Sequence, residues 1–166
     1  MATELYIEIM PLVEFQKFME RLPGIAMEIA NTTLNEMAEE AVKKSQAEFG
    51  NYQASKPGPD GTAFPAWAAL KPSTILRKRV RTGQNTPLLD SGELQESVED
   101  LDLSPLVKMV GTYDPNGRRH EYGTSRAPAR PWLRPVLFSL KAPFERMLRR
   151  NLIMGIRSKY SKLKES

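Results

Sequence analysis

Three groups of polar side chains in this sequence have the types and the spacing that chemistry requires, and the first is centred on His120. It is the only histidine in the chain, and imidazole is the side chain whose charge changes near neutral pH. As a general base it would need a nucleophile within hydrogen-bonding reach and a third residue to orient the ring. No serine stands in the strand–turn–helix motif that presents a nucleophile. We therefore predict that His120 is a hydrogen-bonded structural residue and that the chain is not an enzyme.

The second group is Asp90, Glu93 and Glu96, whose three-residue spacing would place their carboxylates on one helix face. Such a cluster could bind a divalent cation, but the residues do not follow the pattern of a calcium-binding loop. Capping of a helical turn by Asp90 or Ser91 is the simpler explanation, with both glutamates solvated or paired with arginines. The chain has no cysteine and one histidine, which argues against thiolate and zinc chemistry. We predict neither a metal site nor a cofactor.

The third group is Arg126, Arg130 and Arg134, at four-residue intervals around two prolines. Pro128 and Pro131 fix an extended backbone, so the three arginines cannot share one helix face here. A planar guanidinium can make two fixed bonds to a carboxylate or to backbone carbonyls. Arg130 is expected to be a structural clamp ahead of the final helix. A contact with another subunit and a contact with phosphate are the two alternatives.

The elements that must position these groups belong to one domain. With 166 residues, 40% of them apolar and 27% charged, the chain can bury a core of its own. No apolar run approaches the roughly 20 residues that span a bilayer, and the first residues contain Glu4 and Glu8 but no basic segment of a secretory signal. We expect synthesis in the cytoplasm, no membrane contact, a single domain over residues 1–158 and a flexible basic tail over 159–166.

Hydrophobic periodicity predicts an α+β fold, in which a small, mostly antiparallel sheet packs against a long N-terminal helix. That helix is expected from Ile25 to Phe49, with alanines facing inward so that it can approach the sheet closely. The other predicted elements, in chain order, are a strand at Leu5–Ile9, a helix at Leu12–Leu22, a helix at Pro72–Arg79, a helical turn ending at Leu94, strands at 97–103 and 106–113, a turn at Asp114–Gly117, and a basic amphipathic helix from Trp132 to Leu163 that is broken or bent near Pro143 and Gly155.

The segment 50–87 is too long for a simple connection and is predicted to be an extended loop or arm. It contains prolines, glycines and three large aromatic residues, Tyr52, Phe64 and Trp67. Loops with such anchors often dock on a neighbouring subunit, and they can equally close the core of their own chain. The sequence leaves both roles open for Trp67.

Charge alternates in blocks along the chain. Residues 1–50 carry nine acidic and four basic side chains, 51–90 two and six, 91–115 six and one, and 116–166 three and thirteen. Copies of such a chain can pair acidic surface to basic surface. The basic C-terminal helix could also contact nucleic acid or a membrane surface, but we expect it to pack on the sheet or on an adjacent copy.

Three motifs follow one another in a fixed order between Gly58 and Pro135. They are Trp67-x-x-Leu70-Lys71-Pro72-x-Thr74, then Leu89-x-x-Gly92-x-Leu94-x-x-Ser97, then His120-x-x-Gly123 followed by Pro128-Ala129-Arg130-Pro131-Trp132-Leu133. Together they resemble the virion-morphogenesis or tail-completion (neck) proteins of tailed bacteriophages. One departure from that family is an insertion after Tyr113, which lengthens the turn before His120 and adds Arg118 and Arg119.

The resemblance implies a structural virion protein at the head–tail junction or the tail end. Proteins of this family form rings, commonly hexameric, around the DNA channel. The expected partners are therefore copies of this chain (a hexamer, or a dodecamer), other neck, connector or tail-tube proteins, and DNA that passes without sequence-specific binding. Structural or interface roles are expected for Phe64, Trp67, Leu70, Lys71, Thr74, Lys78, Leu89, Gly92, Leu94, His120, Gly123, Arg130, Trp132 and Leu133.

Two other functions are compatible with the sequence. The strongly basic block 116–166 suits a nucleic-acid-binding module, whose affinity would fall steeply with salt. The motif order also suits a tail terminator or another protein at the end of the tail tube. Gel shifts at two salt concentrations would separate the first of these from a ring protein.

Overall fold

A computed structural model of the chain describes residues 5–8, 24–83 and 86–164. Over these residues the elements are β1 (Leu5–Glu8), α1 (Gly24–Ala47), β2 (Lys56–Pro57), β3 (Ala63–Phe64), α2 (Pro72–Thr82), α3 (Glu93–Glu96), β4 (Glu99–Ser104), β5 (Val107–Thr112), α4 (Pro115–Tyr122) and α5 (Arg134–Lys164), with a turn of 3-10 helix at Pro59–Gly61. The predicted α+β fold is confirmed. The helix predicted at Leu12–Leu22 lies outside the described residues.

Three strands form an antiparallel sheet in the order β1-β5-β4, with β5 at its centre. A tight turn joins β4 to β5, and in it Leu106 adopts a left-handed backbone conformation (φ 66°). Its side chain is buried, so the burial offsets the conformational cost of that backbone. Lys108 fixes the pairing of the two strands through its ammonium group, which lies 2.8 Å from Asp100 and 3.0 Å from Asp102.

Small residues along one side of α1 allow it to lie close against the sheet, as predicted. The residues Ala26, Ala30, Ala38 and Ala41 are at most 2% exposed. The acidic residues expected on the opposite side are exposed, namely Glu28, Glu36, Glu39 and Glu40. The helix ends at Ala47 and not at Phe49, but Phe49 still enters the core, where its ring centroid lies 5.2 Å from that of Trp132.

The C-terminal helix α5 packs along α1, whereas the sequence analysis expects it on the sheet or on an adjacent copy. Its buried apolar residues are Val136, Leu140, Phe144 and Leu148. Asn151 donates a hydrogen bond from Nδ2 to Oγ1 of Thr33 at 3.1 Å. Gly155 permits a close approach, because a Cβ at this position would overlap the side chain of Ile29.

The break or bend predicted near Pro143 and Gly155 does not interrupt α5, which continues to Lys164. Pro143 is exposed, so the lost backbone hydrogen bond lies away from the apolar contacts with α1 that hold the helix together. The helix includes residues 159–164, where the sequence analysis expects a flexible tail. The flexibility of that segment stays a prediction.

Asp114–Gly117 is the beginning of α4 and not the isolated turn that the sequence predicts. Oδ1 of Asp114 accepts a hydrogen bond from the backbone N–H of Asn116 at 2.8 Å, and Pro115 occupies the first helical position. An Asp-Pro pair begins a helix as readily as a turn, which explains the error. Arg118 and Arg119 therefore lie on a helix.

Of the two residues predicted to cap α3, Ser91 does so, since its Oγ accepts a hydrogen bond from the backbone N–H of Glu93 at 3.4 Å. Lys71 precedes α2 and Gly92 precedes α3, and neither provides a side-chain hydrogen bond to its helix. Asp90, predicted to cap α3, instead forms an ion pair with Arg81 on α2. The helix α2 itself is confirmed and extends to Thr82.

Candidate functional site

The first and third sequence motifs meet in the folded chain. Nε1 of Trp67 donates to the backbone carbonyl of Pro131 at 3.0 Å, and Nη2 of Arg130 donates to the carbonyl of Ala68 at 2.9 Å. Trp67 is 5% exposed and thus closes the core of its own chain, which decides between the two roles left open by the sequence. The name motif junction is used below for four residues: Trp67, Glu121, Arg130 and Trp132.

Glu121 lies at the centre of the motif junction and is fully buried. Its Oε2 accepts hydrogen bonds from the backbone N–H groups of Trp132 at 2.8 Å and Leu133 at 2.9 Å. Its Oε1 accepts from the backbone N–H of Arg134 at 3.2 Å and from the side-chain Nε of the same residue at 2.8 Å. The first N–H groups of a helix have no partner inside it. The Glu121 carboxylate therefore caps α5 from α4, with the charge sign that a helix N-terminus favours.

The sequence analysis gave Glu121 no role, although one signal could have revealed it. The residues that immediately precede α5, from Ala127 to Leu133, include no Ser, Thr, Asp or Asn that could cap the helix. A helix that begins inside the core needs partners for its first N–H groups. An acidic residue elsewhere in the third motif is the natural candidate, and Glu121 is the only one there.

Trp132 joins α4 to the second motif. Its Nε1 donates to the backbone carbonyl of Gly117 at 3.1 Å. A Cβ on Gly117 would overlap Cγ2 of Thr112 and would lie 3.4 Å from Cδ1 of Leu94, which is buried. Leu94 of the second motif and the indole of Trp132 therefore both lie beside Gly117.

His120 lies in the last turn of α4, where its backbone carbonyl accepts a hydrogen bond from the N–H of Arg130 at 2.7 Å. Burial lowers the pKa of the half-buried imidazole below 6.5, and Arg130 lowers it further while Asp114 opposes the shift. Gly123 follows with a left-handed backbone (φ 75°), and a Cβ there would lie 2.7 Å from the backbone nitrogen of Ala129. Both residues determine the path of the backbone into the final motif.

Lys78 is a buried cation that ties α2 to the second motif. It is 7% exposed, and its Nζ donates to the carbonyls of Thr86 and Leu89, both at 2.5 Å. Burial lowers the pKa of Lys78, and three neighbouring guanidinium groups lower it further, those of Arg81, Arg130 and Arg77. Positive charge is therefore concentrated where α2 faces Arg130.

The other residues for which the motifs imply structural or interface roles fall into two sets, those that pack against other side chains and those that line a cleft. Phe64 is half-buried, with its ring centroid 6.3 Å from that of Phe138 and 5.5 Å from the guanidinium carbon of Arg134. Leu133 is buried, and Leu89 is half-buried. The second set lines a cleft beside the motif junction and consists of Leu70, Lys71, Thr74 and Gly92, together with Lys78, Leu94, His120 and Arg130.

This cleft has a volume of about 1150 Å³ and is cationic. Its walls come from residues 68–71, from α2, from residues 88–94, from both ends of α4 and from residues 126–130. Three carboxylates line it, those of Asp90, Glu93 and Asp114, and the first and last of these are engaged by Arg81 and by the start of α4. Six basic side chains line it, those of Lys71, Arg77, Lys78, Arg81, Arg126 and Arg130.

The acidic residues considered for metal binding do not converge. Asp90 and Glu93 line the cleft, whereas Glu96 does not. Within residues 5–8, 24–83 and 86–164, no group of three or more histidine or acidic side chains is placed to hold a metal ion. In the same part of the chain, no helix combines the length and the apolar character needed to cross a bilayer.

Comparison with protein-family models, with curated proteins and with solved structures found no match to this chain. The resemblance to phage neck proteins therefore depends on the three sequence motifs. The site is defined by its own geometry, which combines a buried, hydrogen-bonded junction with a cationic cleft.

Proposed function

We propose that this chain is a structural subunit of a bacteriophage neck, which completes the tail or joins it to the head as part of a ring around the DNA channel. The observation that carries the proposal is the motif junction. Trp67, Glu121 and Trp132 are at most 5% exposed and are hydrogen-bonded to backbone groups of other elements. Residues in this arrangement stiffen a subunit and hold its surfaces in a fixed relation, which is what a ring requires of each copy.

A surface suited to contact with a neighbour lies on α2, in the segment expected to be an arm. Leu76 and Val80 are 66% and 83% exposed and are four residues apart on this helix. Large apolar side chains that are exposed together mark interaction sites more often than isolated ones do. This pair supports a contact between α2 and an apolar surface of the next subunit.

The charge blocks support the same assembly. A ring closes when each subunit presents two different surfaces, one of which fits the other on the next copy. Alternating acidic and basic segments allow such a head-to-tail contact and disfavour like-charged alternatives.

The test is the mass of the assembled protein, measured by native mass spectrometry over a range of concentrations. A closed ring, with a hexamer as the expected species, supports the proposal. Purified phage particles that contain the protein at the junction of head and tail, or at the tail end, would place it on the virion. A strict monomer at high concentration, together with absence from particles, would refute the assignment.

A nucleic-acid-binding module is the second candidate, and the outer side of α5 favours it. Arg146, Arg149 and Arg150 are exposed there and line a groove of about 520 Å³ together with Ile153 and Met154. A binder should lose affinity for duplex DNA steeply between low and moderate salt, because each phosphate contact releases counterions. A neck protein should bind short duplexes weakly at both salt concentrations, so gel shifts distinguish the two.

A further inference from the structure

Arg130 is a buried charge that the described part of its own chain does not neutralise. It is 7% exposed, it forms no ion pair with any described residue, and its Nε has no hydrogen-bond partner there. Nη2 is satisfied by the carbonyl of Ala68. Burying a guanidinium is costly unless an anion compensates its charge. Arg134, in contrast to Arg130, has such a partner in Glu121.

The surroundings of Arg130 add positive charge instead of removing it. Lys71, Arg77 and Arg126 are exposed at the rim of the same cleft. Arg130 and its neighbours lower the pKa of both Lys78 and His120, after the larger effect of burial on each. The cleft is thus a wide cationic surface with one buried guanidinium in its wall, which is the arrangement that receives carboxylates.

We propose that this cleft receives an acidic segment from a second copy of this chain, and specifically the exposed carboxylates of Glu96 and Glu99. We call these two residues the acidic edge. They lie at the end of α3 and at the beginning of β4, an edge strand of the sheet. The proposal depends on the ring proposed above, since it names the contact that would join neighbouring subunits.

Geometry supports a second copy as the occupant. No residue between 95 and 113 lines the cleft, so the acidic edge begins just outside the cleft, one helical turn beyond Glu93. Different and complementary surfaces allow a head-to-tail contact, which is the type that closes into rings. The acidic edge also continues into Leu103, which is 53% exposed and would be covered in such a contact. The volume of the cleft, about 1150 Å³, suits a peptide segment better than a single phosphate.

Charge reversal at the rim tests the proposal without disturbing the buried residues. The cleft variant Arg77→Glu/Arg126→Glu changes two exposed side chains, and Arg79→Glu is a matched control on α2, exposed but outside the cleft. Sedimentation velocity should show self-association of the cleft variant weakened by about tenfold or more, which is the scale of opposed rim charges. The control should associate like the wild type. Equal association of cleft variant and wild type would overturn the proposal.

A charge swap gives the sharper result. The edge variant Glu96→Arg/Glu99→Arg should also fail to associate alone, because its positive edge would meet a positive cleft. Mixing it with the cleft variant restores opposite charges at every contact of an alternating ring, so the mixture should assemble. Failure of the mixture, while wild-type protein assembles, would overturn the proposal and leave the ring itself standing.

A peptide assay separates this inference from the ring. A fluorescently labelled synthetic peptide of residues 93–104 should bind the wild type and the Arg79→Glu control, and should bind the cleft variant about tenfold more weakly or not at all. Binding by a wild-type protein that stays monomeric would support the cleft contact and count against the ring. No binding to the wild type, or displacement of the peptide by inorganic phosphate or by a short DNA duplex at lower concentration, would overturn the inference.

Discussion

The motif junction and the cleft beside it share Arg130, but they differ in whether the buried charge is compensated. In the junction, the buried carboxylate of Glu121 accepts four hydrogen bonds from residues 132–134, where α5 begins. In the cleft, the buried guanidinium of Arg130 has no carboxylate partner in the described part of the chain. A satisfied buried charge indicates a structural role, and an uncompensated one indicates a surface that is completed by another molecule.

The largest expected effect comes from breaking the junction at Glu121. Glu121→Ala removes the acceptor for the N–H groups at the start of α5 and leaves Arg134 without its ion-pair partner. We expect a loss of about 3–5 kcal/mol in the free energy of unfolding, because a buried network is left with unpaired members. Urea unfolding measures it. Glu145→Gln, on the exposed side of α5, is the control and should change stability by less than about 0.5 kcal/mol.

The next largest effect is expected at Gly117, which contacts Trp132 of the motif junction. Gly117→Ala should destabilise the fold by about 1–3 kcal/mol, since the added methyl overlaps Cγ2 of Thr112. Thr112→Ser removes that carbon and keeps the hydroxyl that contacts Ser97 at 2.6 Å. The double variant should therefore recover much of the stability lost in Gly117→Ala. A double variant that is less stable than either single one would show that the overlap is not the cause.

The pH dependence of stability tests His120, which lines the cleft and is hydrogen-bonded to Arg130 of the motif junction. The pKa of His120 is lowered in the folded protein, so the unfolded chain binds the proton more readily as the pH falls below 6.5. The free energy of unfolding should therefore decrease as the pH is lowered through this range and level off below the folded pKa. His120→Gln should show a weaker decrease over the same interval. Identical pH dependence of both proteins would contradict the assignment.

Substitutions on the exposed side of α2 are expected to have the smallest effect on stability and a large effect on assembly. Leu76→Ser/Val80→Ser changes two exposed side chains and should alter the free energy of unfolding by less than about 0.5 kcal/mol. Self-association in sedimentation should be weakened, because the apolar pair is proposed to contact a neighbour. Ile153→Ser, 63% exposed on α5, is the matched control and should leave association unchanged.

The strongly periodic parts of the fold were predictable from sequence. The alanine stripe of α1, the central strand β5 and the packing side of α5 follow from hydrophobic spacing alone, because burial imposes that spacing. The errors are local. Asp114 begins a helix where a turn was predicted, because an Asp-Pro pair suits both. The helix α5 continues through Pro143, because its contacts with α1 outweigh the local preference.

The candidate site was predictable only in part. Trp67, Arg130 and Trp132 could be selected by their motifs, but the sequence could not decide whether Trp67 faces its own core or a neighbour. Glu121 was missed because three of its four hydrogen bonds come from backbone N–H groups of another element, and the sequence shows them only indirectly, through the missing capping residue before α5. The cleft depends on how α2, α4 and residues 126–130 are arranged around it, which no local periodicity encodes.

The central claim is that these motifs build a subunit of a closed ring. Negative-stain electron microscopy of the purified protein at high concentration tests it most directly. The account predicts annular particles with a central channel, and their loss in the Arg77→Glu/Arg126→Glu variant but not in Arg79→Glu. Isolated monomers at every concentration, with the wild type and the cleft variant indistinguishable, would contradict it.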